Sequence, residues 1–302
     1  MNQKSANLRV NGVSKQFGSF TAVDNLSFEV SAGRIFGFLG PNGAGKTTTI
    51  RMIVGITIPD SGSVELFGDS VSPDIQDRIG YLPEERGLYK KMKIQDQLRY
   101  FAALKGIRQH EADKRIDYWL DRMNLSEWKK KKTTDLSKGM SQKLQFASTM
   151  LHDPDLIVLD EPFSGLDPVN VEFMKSVIAE VKSKEKTIIF STHLMETAEK
   201  LCDDILLINK ARKVISGSLR EIKGSYGRNI ASIRCTGGEE ILEPGELVER
   251  VVEHADELEV FLRDGARGQE LLERLVGAGA LISKFEMVEA SLNDIFIDAV
   301  NA

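Results

Sequence analysis

Residues 8–30 alternate apolar and polar positions in short blocks, Leu-Arg-Val-Asn-Gly-Val, then Thr-Ala-Val, then Leu-Ser-Phe-Glu-Val. That period of two predicts antiparallel strands with one buried face. Ile35-Phe36-Gly37-Phe38-Leu39 is instead continuously apolar, as a short strand buried on both faces is. The stretch Thr-Thr-Thr-Ile-Arg-Met-Ile-Val after Lys46 predicts a helix. A turn cluster at 58–63 precedes strands over 64–67 and 79–82.

From Ile94 the character changes to charged, periodic helix. Segments 94–104, 111–123 and 141–151 each repeat apolar residues at helical spacing and predict an inserted helical subdomain over about 88–152. Strand and helix then alternate again: an apolar run at 156–159 ending in Asp160-Glu161-Pro162, a helix over 169–181, and a buried strand at 187–191. Such alternation predicts an α/β fold with a mostly parallel sheet covered by helices. Ligands in these folds bind beyond the carboxyl ends of the strands. Gly40, Asp160 and His193 all follow strand ends, so one site can gather them.

Past Gly224 this register is lost, and Ser225-Tyr226-Gly227-Arg228-Asn229 reads as a boundary. Strands at 230–235, 258–262 and 280–287 with helices at 269–276 and 292–300 predict a small α+β domain. The expected division is thus 1–224 and 225–302, and the second part carries no recognisable active-site constellation.

Composition narrows the partners. Of 302 residues 28% are charged and 41% apolar, and the net charge of −5 supplies no global basic field for nucleic acid. Cys202 and Cys235 lack metal-ligand spacing and point to free thiols in a reducing compartment. The first residues, Met-Asn-Gln-Lys-Ser-Ala-Asn, lack the apolar core of a signal peptide, and no apolar run reaches the length of a membrane span. At a membrane, the spanning part would belong to another chain. The run Lys129-Lys130-Lys131-Lys132 reads first as a solvated face, with contact to anionic lipid headgroups as the alternative.

Gly40-Pro41-Asn42-Gly43-Ala44-Gly45-Lys46-Thr47, followed by Thr48, fits G-x-x-x-x-G-K-[ST] between a strand and a helix. Glycines let backbone N–H groups point inward at phosphates, and the helix N-terminus adds partial positive charge. Lys46 is expected on the β- and γ-phosphates and the Thr47 hydroxyl on Mg²⁺. Asp160 ends a buried strand, where a carboxylate needs a positive partner; Mg²⁺ shared with Thr47 would supply it. Glu161 would then lie near the γ-phosphate as general base toward water. His193 is either structural or a donor to a phosphate oxygen. Phe17, in a turn between strands, is either core or a platform for a base.

In order, Gly40–Thr48, Leu136-Ser137-Lys138-Gly139-Met140, Leu156–Glu161, Ser164-Gly165-Leu166-Asp167 and His193 resemble the motifs of the ATP-binding cassette (ABC) ATPases. The likeness covers about the first 220 residues. It implies a head-to-tail dimer of cassettes, homo- or heterodimeric, with ATP and Mg²⁺ between the P-loop of one subunit and the signature segment of the other. By the same resemblance Ser137 and the Gly139 backbone bind the opposed γ-phosphate from a helix starting near Ser141, and Phe17 stacks on adenine. Asp167 belongs to the D-loop and His193 is the switch. The family's usual glutamine aligns with Glu84, which can still ligate Mg²⁺. Lys138 and Met140 also depart from Leu-Ser-Gly-Gly-Gln, and Lys138 is placed to offset the Glu84 charge across the dimer. The segment Gly80–Tyr89 and the ending Glu289–Ile297 further resemble the sodium-extruding (NatA-like) exporters with a small C-terminal domain of regulatory or dimer-supporting type. The implied activity is a Mg²⁺-dependent ATPase on the cytoplasmic face of the membrane, driving a separate integral-membrane permease. Two alternatives stand: a cassette that binds ATP but hydrolyses it weakly, and a soluble cassette acting on DNA or ribosomes. The latter lacks its usual coiled coils, zinc cysteines or second cassette.

Overall fold

The structure, a computed structural model, describes residues 6–85, 87–226, 230–254, 256–263 and 265–301. Two compact units divide between Gly217 and Ser218. In the first, β1 (Ala6–Phe17) and β2 (Phe20–Ser31) form the hairpin that the alternation predicts, closing on the pair Phe17 and Phe20. Its inward positions, among them Leu8, Val10, Leu26 and Val30, are buried while their neighbours face out. β3 (Ile35–Leu39) is buried at every position. It leads through the phosphate-loop sequence into α1 (Lys46–Ile53). β4 (Ser61–Leu66) and β5 (Asp69–Ser70) complete an antiparallel sheet in the order β2-β1-β4-β5. The short α2 (Pro73–Gln76), capped by the Ser72 hydroxyl, leads into β6 (Ile79–Leu82).

The helical subdomain comprises α3 (Ile94–Leu104), α4 (Gln109–Arg122) and α5 (Lys138–Met150). Ile94, Leu98 and Ala102 of α3 and Ala112, Ile116 and Leu120 of α4 are the buried stripes at three- and four-residue spacing. Arg99 ties α3 to α4 through two bonds to Asp113, at 2.6 and 2.9 Å. α5 begins at Lys138, earlier than the expected start near Ser141. The cause is capping: the Ser137 hydroxyl accepts the Met140 N–H at 3.2 Å, which offsets the weak helix propensity of Gly139.

β7 (Leu156–Asp160), α6 (Pro168–Ser183), β8 (Thr187–Thr192), α7 (Met195–Leu201), β9 (Asp204–Asn209) and β10 (Arg212–Ser218) follow. They complete a sheet in the order β10-β9-β3-β8-β7-β6, in which β9, β3, β8, β7 and β6 run parallel. β3 is therefore flanked by β8 and β9, and the loops after β3, β7 and β8 leave the same sheet edge. Phe28 of β2 stacks on Phe36 of β3 with ring centroids 5.5 Å apart, joining both sheets in one core.

The second unit holds α8 (Leu219–Ser225), β11 (Ile230–Thr236), α9 (Glu239–Leu242), β12 (Val248–Glu253), β13 (Leu258–Leu262), α10 (Gly268–Gly277), β14 (Leu281–Val288) and α11 (Leu292–Asn301). Its antiparallel sheet runs β12-β13-β11-β14 and packs Ala231, Ile233, Val260 and Leu262 with Leu271 and Leu275 of α10. α8 runs across the expected boundary at Gly224, and Gly227–Asn229 lie outside the described residues. Among the described residues, no helix is long and apolar enough to cross a membrane.

Candidate nucleotide site

The loop after β3 is clamped by two neighbouring strands. Gly40 has φ 149° and Gly45 φ 109°; a side-chain carbon would stand 2.3 Å from the Ile208 carbonyl oxygen at the first and 2.3 Å from that of Ala22 at the second. Only glycine fits at such approach of backbone to backbone. Ala44 is buried, and its carbonyl accepts the Ala211 N–H at 3.2 Å, fixing the loop to the β9–β10 turn. Lys46 opens α1 and turns back over the loop: its ammonium donates to the Gly40 carbonyl at 2.8 Å and that of Pro41 at 3.2 Å. Asn42, Gly43, Gly45, Lys46, Thr47 and Thr48 line a cavity of ≈ 380 Å³ with Glu84, Glu161, Ala22 and Phe20.

Asp160, the last residue of β7, is fully buried. Its Oδ1 accepts the Ser191 hydroxyl at 2.5 Å, whereas its Oδ2 is buried without a hydrogen-bond partner. Burial holds its pKa above the ordinary carboxylate value, against the pull of the nearby Ser191 and Thr47 hydroxyls. An unpartnered buried carboxylate oxygen beside a threonine hydroxyl fits a hard divalent cation, so the residues present suit Mg²⁺.

Glu161 is buried and adopts φ 47°, a left-handed conformation that costs a residue with a side chain about 1–2 kcal/mol. Its N–H donates to the Ser191 hydroxyl at 3.1 Å. The strained turn directs its carboxylate between two nitrogen groups: Oε1 is 3.6 Å from the Lys46 ammonium and accepts from His193 Nδ1 at 3.0 Å. His193 itself is 47% exposed against 9% for Glu161, so the imidazole reaches outward while the carboxylate stays in.

Ser137, Gly139 and Asp167 stand apart from that cavity's lining and cluster with one another. Asp167 caps α6 by accepting the Asn170 N–H at 3.0 Å, and this bond holds its carboxyl below the usual range. The Asn170 amide lies against Gly139, 3.2 Å from where a side-chain carbon would begin. Phe17 is 54% exposed, which excludes the core reading; it flanks the hairpin end, and Phe20 rather than Phe17 lines the cavity. Sequence reading passed over Phe20 and Ser191. A serine inside an otherwise apolar buried strand was the available signal for Ser191. Gln142 and Gln145, buried on α5, were also missed; they donate to the carbonyls of Pro162 and of Pro83 and Glu85.

Comparison with known proteins agrees with this geometry. Residues 23–164 match the ABC transporter family model, and residues 217–300 match the C-terminal domain of ATP-binding proteins of the DrrA1-3 type. The chain is 45% identical to the ABC transporter ATP-binding protein YhaQ of Bacillus subtilis, over 98% of this chain and 99% of that one. It is 34% identical to the Nod factor export ATP-binding protein I of Cupriavidus metallidurans, over 97% of each. A solved ATP-binding subunit of an ABC transporter superposes with a TM-score of 0.68 at 30% identity, covering 74% of this chain and 94% of that one. Full-length likeness at this identity, together with the phosphate loop and its facing carboxylates, means that the chain belongs to the ATP-hydrolysing, ATP-binding subunits of ABC transporters.

Proposed function

We propose that this chain powers an exporter: two cassettes, identical or sister chains, close head to tail around ATP and so drive a separate membrane permease from its cytoplasmic face. The observation that carries this reading is Glu161, buried, strained and held between Lys46 and His193 at the mouth of the phosphate loop. Loop N–H groups and the α1 N-terminus receive the phosphates. Lys46 exchanges its carbonyl partners for β- and γ-phosphate oxygens, so substrate binding costs it no buried charge. Thr47 and Asp160, with Glu84 at the open side, would hold Mg²⁺, which when bound neutralises phosphate charge. Glu161 orients water and accepts its proton, and His193 turns from Glu161 to the γ-phosphate. Phe17 offers its exposed ring to adenine. Ser137, the Gly139 N–H and the α5 N-terminus meet the phosphate held by the opposing cassette, with Asp167 beside them.

A second cavity of ≈ 420 Å³, lined among others by Ile56, Tyr81, Pro83, Leu88, Phe101 and Leu104, suits a helical segment of the permease. Ile56 and Leu104 are 61% and 65% exposed there, apolar surface that a seated partner would cover. Export is favoured by the likeness to the Nod factor export protein and by the resemblance to exporters of the sodium-extruding type, while the cargo itself is chosen in the permease. No nucleic acid enters the scheme. To test it, Glu161→Gln is purified with ATP, and the tagged native chain is recovered from gently solubilised membranes. An ATP-dependent dimer on a sizing column and a co-purifying multi-span protein are expected. A monomer with bound ATP, or recovery only with ribosomes or DNA, would overturn the reading.

A further inference from the structure

Two lysine runs far apart in the chain lie side by side. Lys90, Lys91 and Lys93 precede α3, and Lys129–132 follow α4. Backbone bonds lock the two segments: Ile94 N–H to the Lys131 carbonyl at 2.9 Å, Gln95 N–H to that of Lys129 at 3.0 Å, and Thr133 N–H to that of Met92 at 3.3 Å. Lys93 and Lys132 are bridge partners, and the Thr133 hydroxyl donates to the Tyr89 carbonyl at 2.8 Å. Seven lysines are thereby gathered on two adjoining segments of a chain whose net charge is −5. Lys129 pairs with Asp117. The other six are exposed and form no ion pair among the described residues. The neighbouring carboxylates are Asp96, Glu127 and Asp135, of which Asp135 accepts the Lys132 backbone N–H at 3.1 Å.

Like charges held together oppose folding, so the arrangement is stabilised when an anionic surface covers it. Aromatic residues say which surface. Tyr89 and Tyr100 are 49% and 44% exposed beside the lysines, with ring centroids 6.0 Å apart. Tyr89 also packs on Phe101, 6.1 Å away, and Phe101 lines the groove assigned above to the permease. Lysine heads next to amphipathic rings is the composition of the water–bilayer boundary. We infer that this lysine–tyrosine rim binds the anionic phospholipid headgroups of the leaflet surrounding the permease. It rests on the permease reading, because a partner seated in the groove is what brings the rim to the bilayer.

The test is co-sedimentation of the full chain with vesicles of phosphatidylcholine alone and of phosphatidylcholine mixed with phosphatidylglycerol. Binding is expected on the mixed vesicles only, and is lost at high salt. Each lysine at an anionic surface is worth about fivefold in partitioning. Combined Lys90→Gln, Lys91→Gln, Lys130→Gln and Lys131→Gln therefore lowers it by about several hundredfold where the four contributions multiply, while soluble ATP turnover, which reports an intact fold, is unchanged. Equal binding of the variant, equal binding to both vesicles, or retention on nucleic acid but on neither vesicle overturns the inference. Loss of a co-purifying permease from the variant without vesicle binding by the parent also overturns it, in favour of an acidic protein surface. Co-purification of the parent with a multi-span protein tests the permease reading separately, so each can fail alone.

Discussion

Ser191 ties the Asp160 carboxylate to the Glu161 backbone through one hydroxyl, and removing it tests the whole arrangement. Its oxygen donates to Asp160 at 2.5 Å and accepts the Glu161 N–H at 3.1 Å, and all three residues are buried. Ser191→Ala deletes one charge-assisted bond, worth about 1.5–3 kcal/mol, and leaves a buried N–H unsatisfied at about 1–3 kcal/mol. The two losses share one atom and a water can enter the space, so about 2–4 kcal/mol is the expected destabilisation. Asp160, whose Oδ2 already lacks a partner, loses the strongest influence that opposes its raised pKa. Ionising it becomes harder, and Mg²⁺ binding competes with a proton. Urea unfolding monitored by circular dichroism gives the first quantity, and ATP turnover against Mg²⁺ concentration gives the second. The variant is expected to unfold at lower urea and to need more Mg²⁺ for half-maximal turnover, because the proton competes more strongly for Asp160. An unchanged midpoint together with an unchanged Mg²⁺ curve would refute the reasoning.

The same loop separates its glycines. Gly40→Ala and Gly45→Ala meet carbonyl oxygens at 2.3 Å and are expected to abolish ATP binding by calorimetry. Gly43→Ala, at φ 78° in open space, costs only the conformation, about 1–2 kcal/mol, and retains measurable binding. In β3, a side-chain carbon on Gly37 would lie 2.5 Å from Cys202 Sγ, so Gly37→Ala destabilises by about 1–3 kcal/mol in chemical denaturation, and adding Cys202→Ala recovers most of it. Burial raises the Cys202 pKa, so native protein is expected to spare this thiol when titrated with a thiolate-specific reagent and to release it on unfolding. The Arg99 bond holds the Asp113 carboxyl below its usual range, so their pair adds stability above the unfolded pKa and loses it as pH falls through the lowered folded value. Thermal midpoints of Asp113→Asn and the parent therefore converge in acid and separate toward neutrality.

What was legible in the sequence is what local chemistry dictates. The hairpin of β1 and β2 follows from alternation, β3 and β7 from continuous apolar runs, and the phosphate loop from its own spacing. What escaped depends on neighbours. The start of α5 turns on whether the Ser137 side chain folds back to Met140, which periodicity does not report. β12 carries Val-Glu-Arg-Val-Val-Glu, and a register shift between Val248 and Arg250 breaks its alternation. Phe17 and Phe20 are equivalent aromatics until the hairpin pairs them and turns one toward the cavity. In the sequence Lys138 is only a charge set against Glu84, whereas in the fold it stands in the first turn of α5. A cation there opposes the helix dipole, so an anion is the partner that this turn favours.

Gln142 and Gln145 give α5 a second duty. Spaced three residues apart, they share a helix face. Gln142 holds the Pro162 carbonyl at 3.2 Å, directly after Glu161, and Gln145 holds those of Pro83 and Glu85 at 3.3 Å, on either side of Glu84. The same helix carries Ser137 and Gly139 at its N-terminus, with Gly139 against the Asn170 amide that Asp167 orients. A helix moves as a body, whereas its packed contacts have discrete arrangements. Displacement of the loops around Glu84 or Glu161 on loss of the γ-phosphate must therefore break these glutamine bonds or swing α5. A swing of α5 carries Ser137 with it, at the surface proposed above to meet an opposing cassette, and Pro83 and Gln145 also line the apolar groove. In the proposed dimer, hydrolysis, opening of the cassette pair and the push on the permease thus pass through one helix and two buried amides.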